Sequence, residues 1–247
     1  MKRILAVAGF AAMLAAAPAG AQVVYSNDFD GGVTTGPGVG VTISNGGSTG
    51  TATSGSWNAN GWKNNFLINS SVNPILTTQF SFTGLGAHTS VSLGGVLGLL
   101  DSWDSTNGSP APDVLEVLIN GNVVASLTTN NASGSVVDAQ GGTIIALYQQ
   151  VDTHQFYSDT LVDFTNSPWA TFAHTGSTLT IGFRAAASAG WQGGDDEEWG
   201  LDNFRVTLNN ATTGGVPEPA TWAMMVLGFG AVGGALRSRR KATLRYA

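Results

Sequence analysis

Carboxylates gather at three places in the chain. Asn27-Asp28-Phe29-Asp30 stands near the start. Asp101-Ser102-Trp103-Asp104-Ser105-Thr106-Asn107-Gly108, with Asp113 just beyond, lies in the middle. Asp195-Asp196-Glu197-Glu198-Trp199-Gly200-Leu201-Asp202-Asn203 comes near the end and reads as an acidic loop leading into the last strand. Hard cations such as Ca²⁺ take about six to eight oxygens, many from Asp, Asn and the carbonyls of Gly-bearing loops. Asp28, Asp30, Asp101, Asp104, Asp113, Asp195, Asp196 and Asp202 are therefore candidate calcium ligands, and no other cofactor is suggested. The competing reading is plain turn chemistry, since Asp and Asn side chains bond nearby backbone N–H groups. Asp195–Glu198 is the strongest case for a purposeful cluster, because four adjacent carboxylates repel unless solvated or countered. The middle loop shares letters with an EF-hand, but its spacing fails and no helices flank it.

Tryptophan is the second chemistry-bearing residue type. Trp57, Trp62, Trp103 and Trp191 lie in or beside polar loops, and indole faces stack on sugar rings. Trp57-Asn58-Ala59-Asn60-Gly61-Trp62 has the composition of a glycan platform. The competing reading is that these indoles seal the ends of a sandwich, since burial is their usual fate.

Enzyme signatures are weak. His88, His154 and His174 form no His-x-x-x-His or His-Glu pair, so a zinc site is not expected. His154 lies near Asp152 and Asp159, an acid/base arrangement in principle, but a surface histidine is the simpler reading. Gly46-Gly47-Ser48-Thr49-Gly50 has the letters of a nucleophile elbow, yet a Gly/Ser/Thr tract follows where a helix is needed. No catalytic residue is assigned. A glycosidase pair of carboxylates could arise anywhere among so many acids.

The elements that must position these residues read as all-β. Of 247 residues, 34 are glycine, none is cysteine and 11% are charged. The missing cysteines exclude disulfide scaffolds, zinc ribbons and Cys nucleophiles. Between Gln22 and Val216 there are 15 acidic and 3 basic residues (Lys63, Arg184, Arg205), a net charge of −12 that argues against nucleic acid. Short β-branched and aromatic runs are separated by Gly/Asn/Ser/Thr clusters, and twelve strands are predicted between Val23 and Leu208. Thr-Gln-Phe-Ser-Phe (78–82) and Leu-Thr-Ile-Gly-Phe (179–183) alternate with period two, so one face packs and the other meets water. Asn120-Gly121 between two apolar runs predicts a type I′ hairpin. The fold class is an antiparallel two-sheet β-sandwich of the jelly-roll kind, with a closed barrel or solenoid as the alternative. Gly31–Trp62 reads as long loops or weak edge strands.

Both ends carry addresses. Lys2-Arg3, an apolar run from Ile4 to Ala17 and Ala19-Gly20-Ala21 have the layout of a secretory signal peptide. At the other end, a Thr/Gly linker leads to Val216-Pro217-Glu218-Pro219-Ala220-Thr221-Trp222-Ala223. Met224 to Leu236 is apolar or glycine, and Arg237, Arg239, Arg240 and Lys241 follow. A helix from Ala220 to Leu236 rises about 25 Å, a short membrane span with basic residues on its cytoplasmic side. The predicted segments are a signal peptide at 1–21, a sandwich at 22–209, a linker at 210–216, a sorting signal with a transmembrane helix at 217–241, and a short tail at 242–247.

Pro-Glu-Pro-Ala-Thr-Trp-Ala-Met-Met, the Gly-rich apolar helix and the Arg cluster resemble a PEP-CTERM sorting tail, with Pro217, Glu218, Pro219, Trp222, Arg237, Arg239 and Arg240 as motif residues. The resemblance implies processing by an exosortase, a membrane-embedded cysteine protease-transpeptidase of Gram-negative bacteria. The implied cut is near Val216–Pro219, and the setting is that of extracellular polysaccharide and biofilm systems. Asn-Asp-Phe-Asp at the start and Gly-Leu-Asp-Asn-Phe-Arg-Val at the end are similar to the termini of carbohydrate-binding-module-like and MAM-like sandwiches. That likeness implies a structural Ca²⁺ at Asp28, Asp30 and Asp202. Together these features predict an exported, non-catalytic protein of the cell surface or extracellular matrix that binds polysaccharide. Its partners would be the Sec translocon, signal peptidase and an exosortase, with transient inner-membrane anchoring. The alternatives are a secreted polysaccharide hydrolase or lyase on a jelly roll, and a self-assembling structural surface protein.

Overall fold

The computed structural model describes residues 20–105, 112–131, 137–154, 157–186, 190–211 and 219–241. Gly20–Ala211 is one compact unit, and the helix at 219–241 belongs to the other. The signal-peptide expectation lies outside the described residues, except that Gly20 and Ala21 already belong to the first strand.

Fifteen strands are found among the described residues. The first five are β1 (Gly20–Asn27), β2 (Thr34–Thr35), β3 (Gly40–Ser44), β4 (Ser48–Thr51) and β5 (Asn65–Asn69). Then come β6 (Thr78–Thr83), β7 (Ser90–Asp101), β8 (Leu115–Ile119), β9 (Asn122–Thr129) and β10 (Val137–Asp138). The last are β11 (Thr143–Gln149), β12 (Asp159–Asp163), β13 (Thr171–Ala173), β14 (Leu179–Ala185) and β15 (Glu197–Ala211). One sheet runs β11-β12-β7-β15-β1-β2, with β13 on β7 and the β4–β5 pair on β15. The other runs β10-β9-β8-β14-β6-β3. The recorded strand pairs are antiparallel.

The alternation read in the sequence places the core. On β6, Phe80 and Phe82 are buried while Gln79 and Ser81 face outward. Leu179, Ile181 and Phe183 do the same on β14. They meet Tyr25, Leu97, Leu99 and Phe204 of the first sheet in one core cluster. Asn120 and Gly121 both have positive φ, 49° and 79°, as the type I′ turn between β8 and β9 requires.

A second cluster covers the other face of the first sheet: Trp57, Trp62, Phe66, Val96, Leu100, Val151 and Leu161. Covered on both sides, β7 carries a nearly continuous apolar sequence rather than an alternating one. At its middle Gly98 pairs with Gly200 of β15. A Cβ at either glycine would lie 2.7 Å from Cη2 of Trp62. The bare backbone of two adjacent strands is thus the floor under that indole, which packs tilted against Phe66 with ring centroids 4.2 Å apart and donates from Nε1 to the Val151 carbonyl at 3.1 Å.

Two expectations need correction. The third acidic cluster was expected in a loop before the last strand, but β15 starts at Glu197, so Glu197 and Glu198 are buried strand residues. Their backbone pairs with Asp101 and Leu100 extend the ladder that far. The expected C-terminal helix forms as α1 (Pro219–Lys241), with Pro219 in its first turn, where a missing N–H is harmless. However, among the described residues no helix is long and apolar enough to cross a membrane. The stretch from Ala220 to Leu236 rises about 25 Å, against about 30 Å of hydrocarbon, and four glycines dilute it.

The Trp62 floor yields a stability test. Gly98→Val is expected to destabilise the protein by about 1–3 kcal/mol through overpacking. Trp62→Ala is expected to cost about 3–5 kcal/mol through the cavity it leaves. Urea unfolding followed by tryptophan fluorescence measures both, and wild-type midpoints would contradict this packing.

Candidate functional site

Strands β7 and β15 end together, with Asp101 opposite Glu197 and Leu100 opposite Glu198. Successive strand residues point to opposite faces, so the two glutamates diverge. Glu197 is fully buried and accepts from the backbone N–H groups of Gln192 and Gly193, the latter at 3.1 Å. Glu198 turns to His154, whose Nδ1 lies 3.7 Å from Glu198 Oε2 and 3.4 Å from Asp101 Oδ2. Asp101 is fully buried and His154 is 42% exposed. Below them Asp159, also buried, accepts from the N–H of Asp101 at 2.9 Å and of Val151 at 2.8 Å. Asp152 accepts from the N–H of His154 at 3.1 Å.

Burial dominates the electrostatics here. It pushes Asp159 and Glu198 up to about 7, against ordinary carboxylate values near 4, and neighbouring carboxylates add to the rise. Burial alone would pull His154 down, but Glu198, Asp101 and Asp152 outweigh it and hold the imidazole pKa above its usual value. On the opposite face Asp113 accepts from the Asp104 N–H at 2.6 Å and is pushed up to about 7, first by burial and then by Glu197, Asp104 and Asp196. Asp196 accepts from Ser102 Oγ at 2.7 Å, and Asp195 is exposed.

The candidate ligands therefore fall into three groups. Asp101 joins Glu198 and His154. Asp104, Asp113 and Asp196 join Glu197. Asp28, Asp30 and Asp202 meet elsewhere, where β1 and β15 run side by side. There Asp202 is buried, accepts from the N–H of Lys63 at 3.1 Å and of Asn203 at 2.6 Å, and is pushed up to about 7 by burial, with Asp30 and Asp28 contributing. Asp30 accepts from Asn64 Nδ2 and the Asn65 N–H. Asp28 and Asp202 line a polar cavity of about 510 Å³ together with Asn60, Lys63, Asp163 and Asn203. Among the described residues, Asp101, His154 and Glu198 form a group of three whose ligand atoms close to within 4.8 Å of one another.

Sequence spacing alone does not nominate His154 or Glu198 as ligands. His154 reads as a surface residue because its partners are some 50 positions away in either direction. The usable signal was the adjacency of Asp152 to His154 combined with an acidic stretch heading a strand. The other two histidines pair with each other, Nε2 of His88 to Nδ1 of His174 at 2.8 Å.

The glycan platform is corrected by burial. Trp57, Trp62, Trp103 and Trp191 expose 9%, 0%, 0% and 6% of their surface. Each indole N–H is spent inside the protein, on the carbonyls of Thr53, Val151, Glu198 and Ser71 respectively. No ring face is left for a sugar. The segment shows its asparagines instead: a 3-10 turn at Ser56–Asn60 tucks Trp57 inward and leaves Asn60 at the rim of the polar cavity.

The C-terminal segment is distinguished by its sequence. Residues 215–241 match the PEP-CTERM protein-sorting motif. The chain carries a PEP-CTERM tail. Such a tail supports an exported protein processed by an exosortase, and it says nothing of the sandwich. Among its motif residues, Pro217 and Glu218 lie outside the described residues, Pro219, Trp222, Arg239 and Arg240 fall within α1, and Arg237 is exposed on it. No curated protein matches the chain.

The raised carboxyl pKa values fix a pH dependence. Asp113, Asp159, Glu198 and Asp202 hold protons in the folded state at pH values where the unfolded chain has lost them. Their stabilisation is complete below the unfolded carboxylate pKa of about 4 and is lost as pH rises through about 7. In chelator-treated protein the melting temperature should fall between about pH 4 and pH 7 and then level off. A melting temperature that rises over that interval would show that these carboxyls are not buried as described.

Proposed function

We propose that this PEP-CTERM protein is a non-catalytic component of the cell surface or extracellular matrix that binds extracellular polysaccharide on a jelly-roll scaffold. The sorting match at residues 215–241 carries the export half of this reading. Export proceeds through the Sec translocon and signal peptidase. The sorting tail at residues 215–241 keeps the precursor at the inner membrane until an exosortase removes it. The binding half is supported by the polar cavity beside Ser56–Asn60. Its rim combines carboxylates (Asp28, Asp163, Asp202), amides (Asn60, Asn203) and the Lys63 ammonium. Those groups donate to and accept from hydroxyls, which suits a sugar better than an apolar ligand. Calcium, expected from the sequence at Asp28, Asp30 and Asp202, belongs to the same region. Carboxylates around it would serve both ion and sugar.

Two measurements test the halves separately. In a host with an exosortase, replacing Pro217, Glu218 and Pro219 by alanine should leave the C-terminal helix on the protein, seen as a higher mass and retention in the membrane fraction. Normal processing of that variant would sink the sorting assignment. The exported protein should bind host exopolysaccharide, with Asn60→Ala combined with Lys63→Ala weakening binding at least about tenfold. Unchanged affinity would remove the cavity from the reading, and sustained release of reducing sugar would replace binding with hydrolysis.

A further inference from the structure

The cluster at the shared end of β7 and β15 is independent of the polysaccharide reading. We infer that Asp101, His154 and Glu198 bind a divalent transition-metal ion, best suited to Zn²⁺. Three side chains from separate segments bring one ligand atom each to within 4.8 Å of one another. The separations, 3.4 Å from His154 Nδ1 to Asp101 Oδ2 and 3.7 Å to Glu198 Oε2, suit an ion between them. Tetrahedral ligands at about 2.0–2.2 Å from zinc stand about 3.3–3.6 Å apart.

A second observation points to a ligand. Glu198 is 8% exposed, and its Oε2, the atom that faces His154, is buried with no hydrogen-bond partner. A buried carboxylate oxygen left without a donor is costly, and native proteins seldom tolerate it. An ion at this point supplies the missing partner. It also offsets the mutual repulsion of Glu198, Asp101 and Asp152, whose field already acts on Glu198.

The donor set chooses the metal. Ca²⁺ and Mg²⁺ take oxygen ligands, whereas an imidazole nitrogen suits zinc and its first-row neighbours. Half-exposed His154 leaves a route from solvent and room for water to complete the coordination. Its backbone is held by the His154 N–H bond to Asp152, which fixes the ring over the two carboxylates. The ligands come from the end of β7, the start of β15 and the segment before β12, so no local zinc spacing exists in the sequence.

Zn²⁺ titration of the chelator-stripped, untagged full chain, by calorimetry and melting temperature, is the test. Wild type should bind one equivalent and melt higher. Glu198→Gln and His154→Gln should each lose that shift and bind at least about tenfold more weakly, with unchanged far-UV dichroism. Excess Ca²⁺ should not displace the Zn²⁺. Full zinc affinity in both variants, no binding to wild type at millimolar Zn²⁺, or displacement by Ca²⁺ would overturn the inference. Co²⁺ bound to wild type covers the case of a variant that fails to fold. Intense visible absorption from a four-coordinate ion supports the site, and its absence at saturating Co²⁺ refutes it.

Discussion

The pairing of β7 with β15 is the constraint on which the rest of the domain depends. Both strands lie inside the larger sheet, and β7 is covered on its two faces by separate apolar clusters. Leu97 and Leu99 point to one cluster, Val96 and Leu100 to the other. Gly98 opposite Gly200 gives the ladder a bare patch wide enough for a whole indole, and Trp62 fills it. The same ladder then runs on to Asp101 and Glu197, so the polar end of the domain is a continuation of its most apolar part. Carboxylates placed there are buried because the strands that carry them are buried.

That placement explains which features could be read from the chain. Alternation in Thr-Gln-Phe-Ser-Phe and Leu-Thr-Ile-Gly-Phe announced β6 and β14, and Asn120-Gly121 announced their neighbour hairpin, because each signal is local. β2, β4 and β10 left no such signal, being two to four residues long and made mostly of Thr, Ser, Gly, Val and Asp. The start of β15 was hidden for a different reason. Glu197 and Glu198 have the composition of an exposed loop, and their burial depends on surroundings the strand pattern does not show: Gln192 and Gly193 donate to Glu197, and Glu198 faces His154.

The tryptophans teach the converse. Trp57-Asn58-Ala59-Asn60-Gly61-Trp62 looks like a display surface, since polar residues separate two indoles. The short 3-10 turn reverses that reading by putting both rings on the inside. Asn58 is the organiser: its Oδ1 accepts from the Gly55 N–H at 2.6 Å, and its Nδ2 donates to the carbonyls of Thr53 and Trp62. Composition named the right segment for a site, but the polarity of its two faces was a tertiary property. The tail is the opposite extreme: its meaning is carried by linear sequence, so the motif was legible without structure.

A domain released from its tail must hold itself together, and this chain has no cysteine with which to do it. Its loops are long and glycine-rich, so chain entropy opposes the folded state strongly. The segment that carries Asp152 and His154 touches the second core through Val151, whose carbonyl takes the Trp62 indole N–H. An ion shared by His154, Asp101 and Glu198 ties that stretch to both central strands at once. It closes loops that span some 50 residues on the β7 side and over 40 on the β15 side, and loop-closing links remove entropy from the unfolded chain much as a disulfide does. Such a link exists only where the cation is available and the carboxyls are ionised. In that case the pH at which the apo domain is least stable is the pH at which the ion binds best, and the acidic end changes from a cost of folding into a contribution to it.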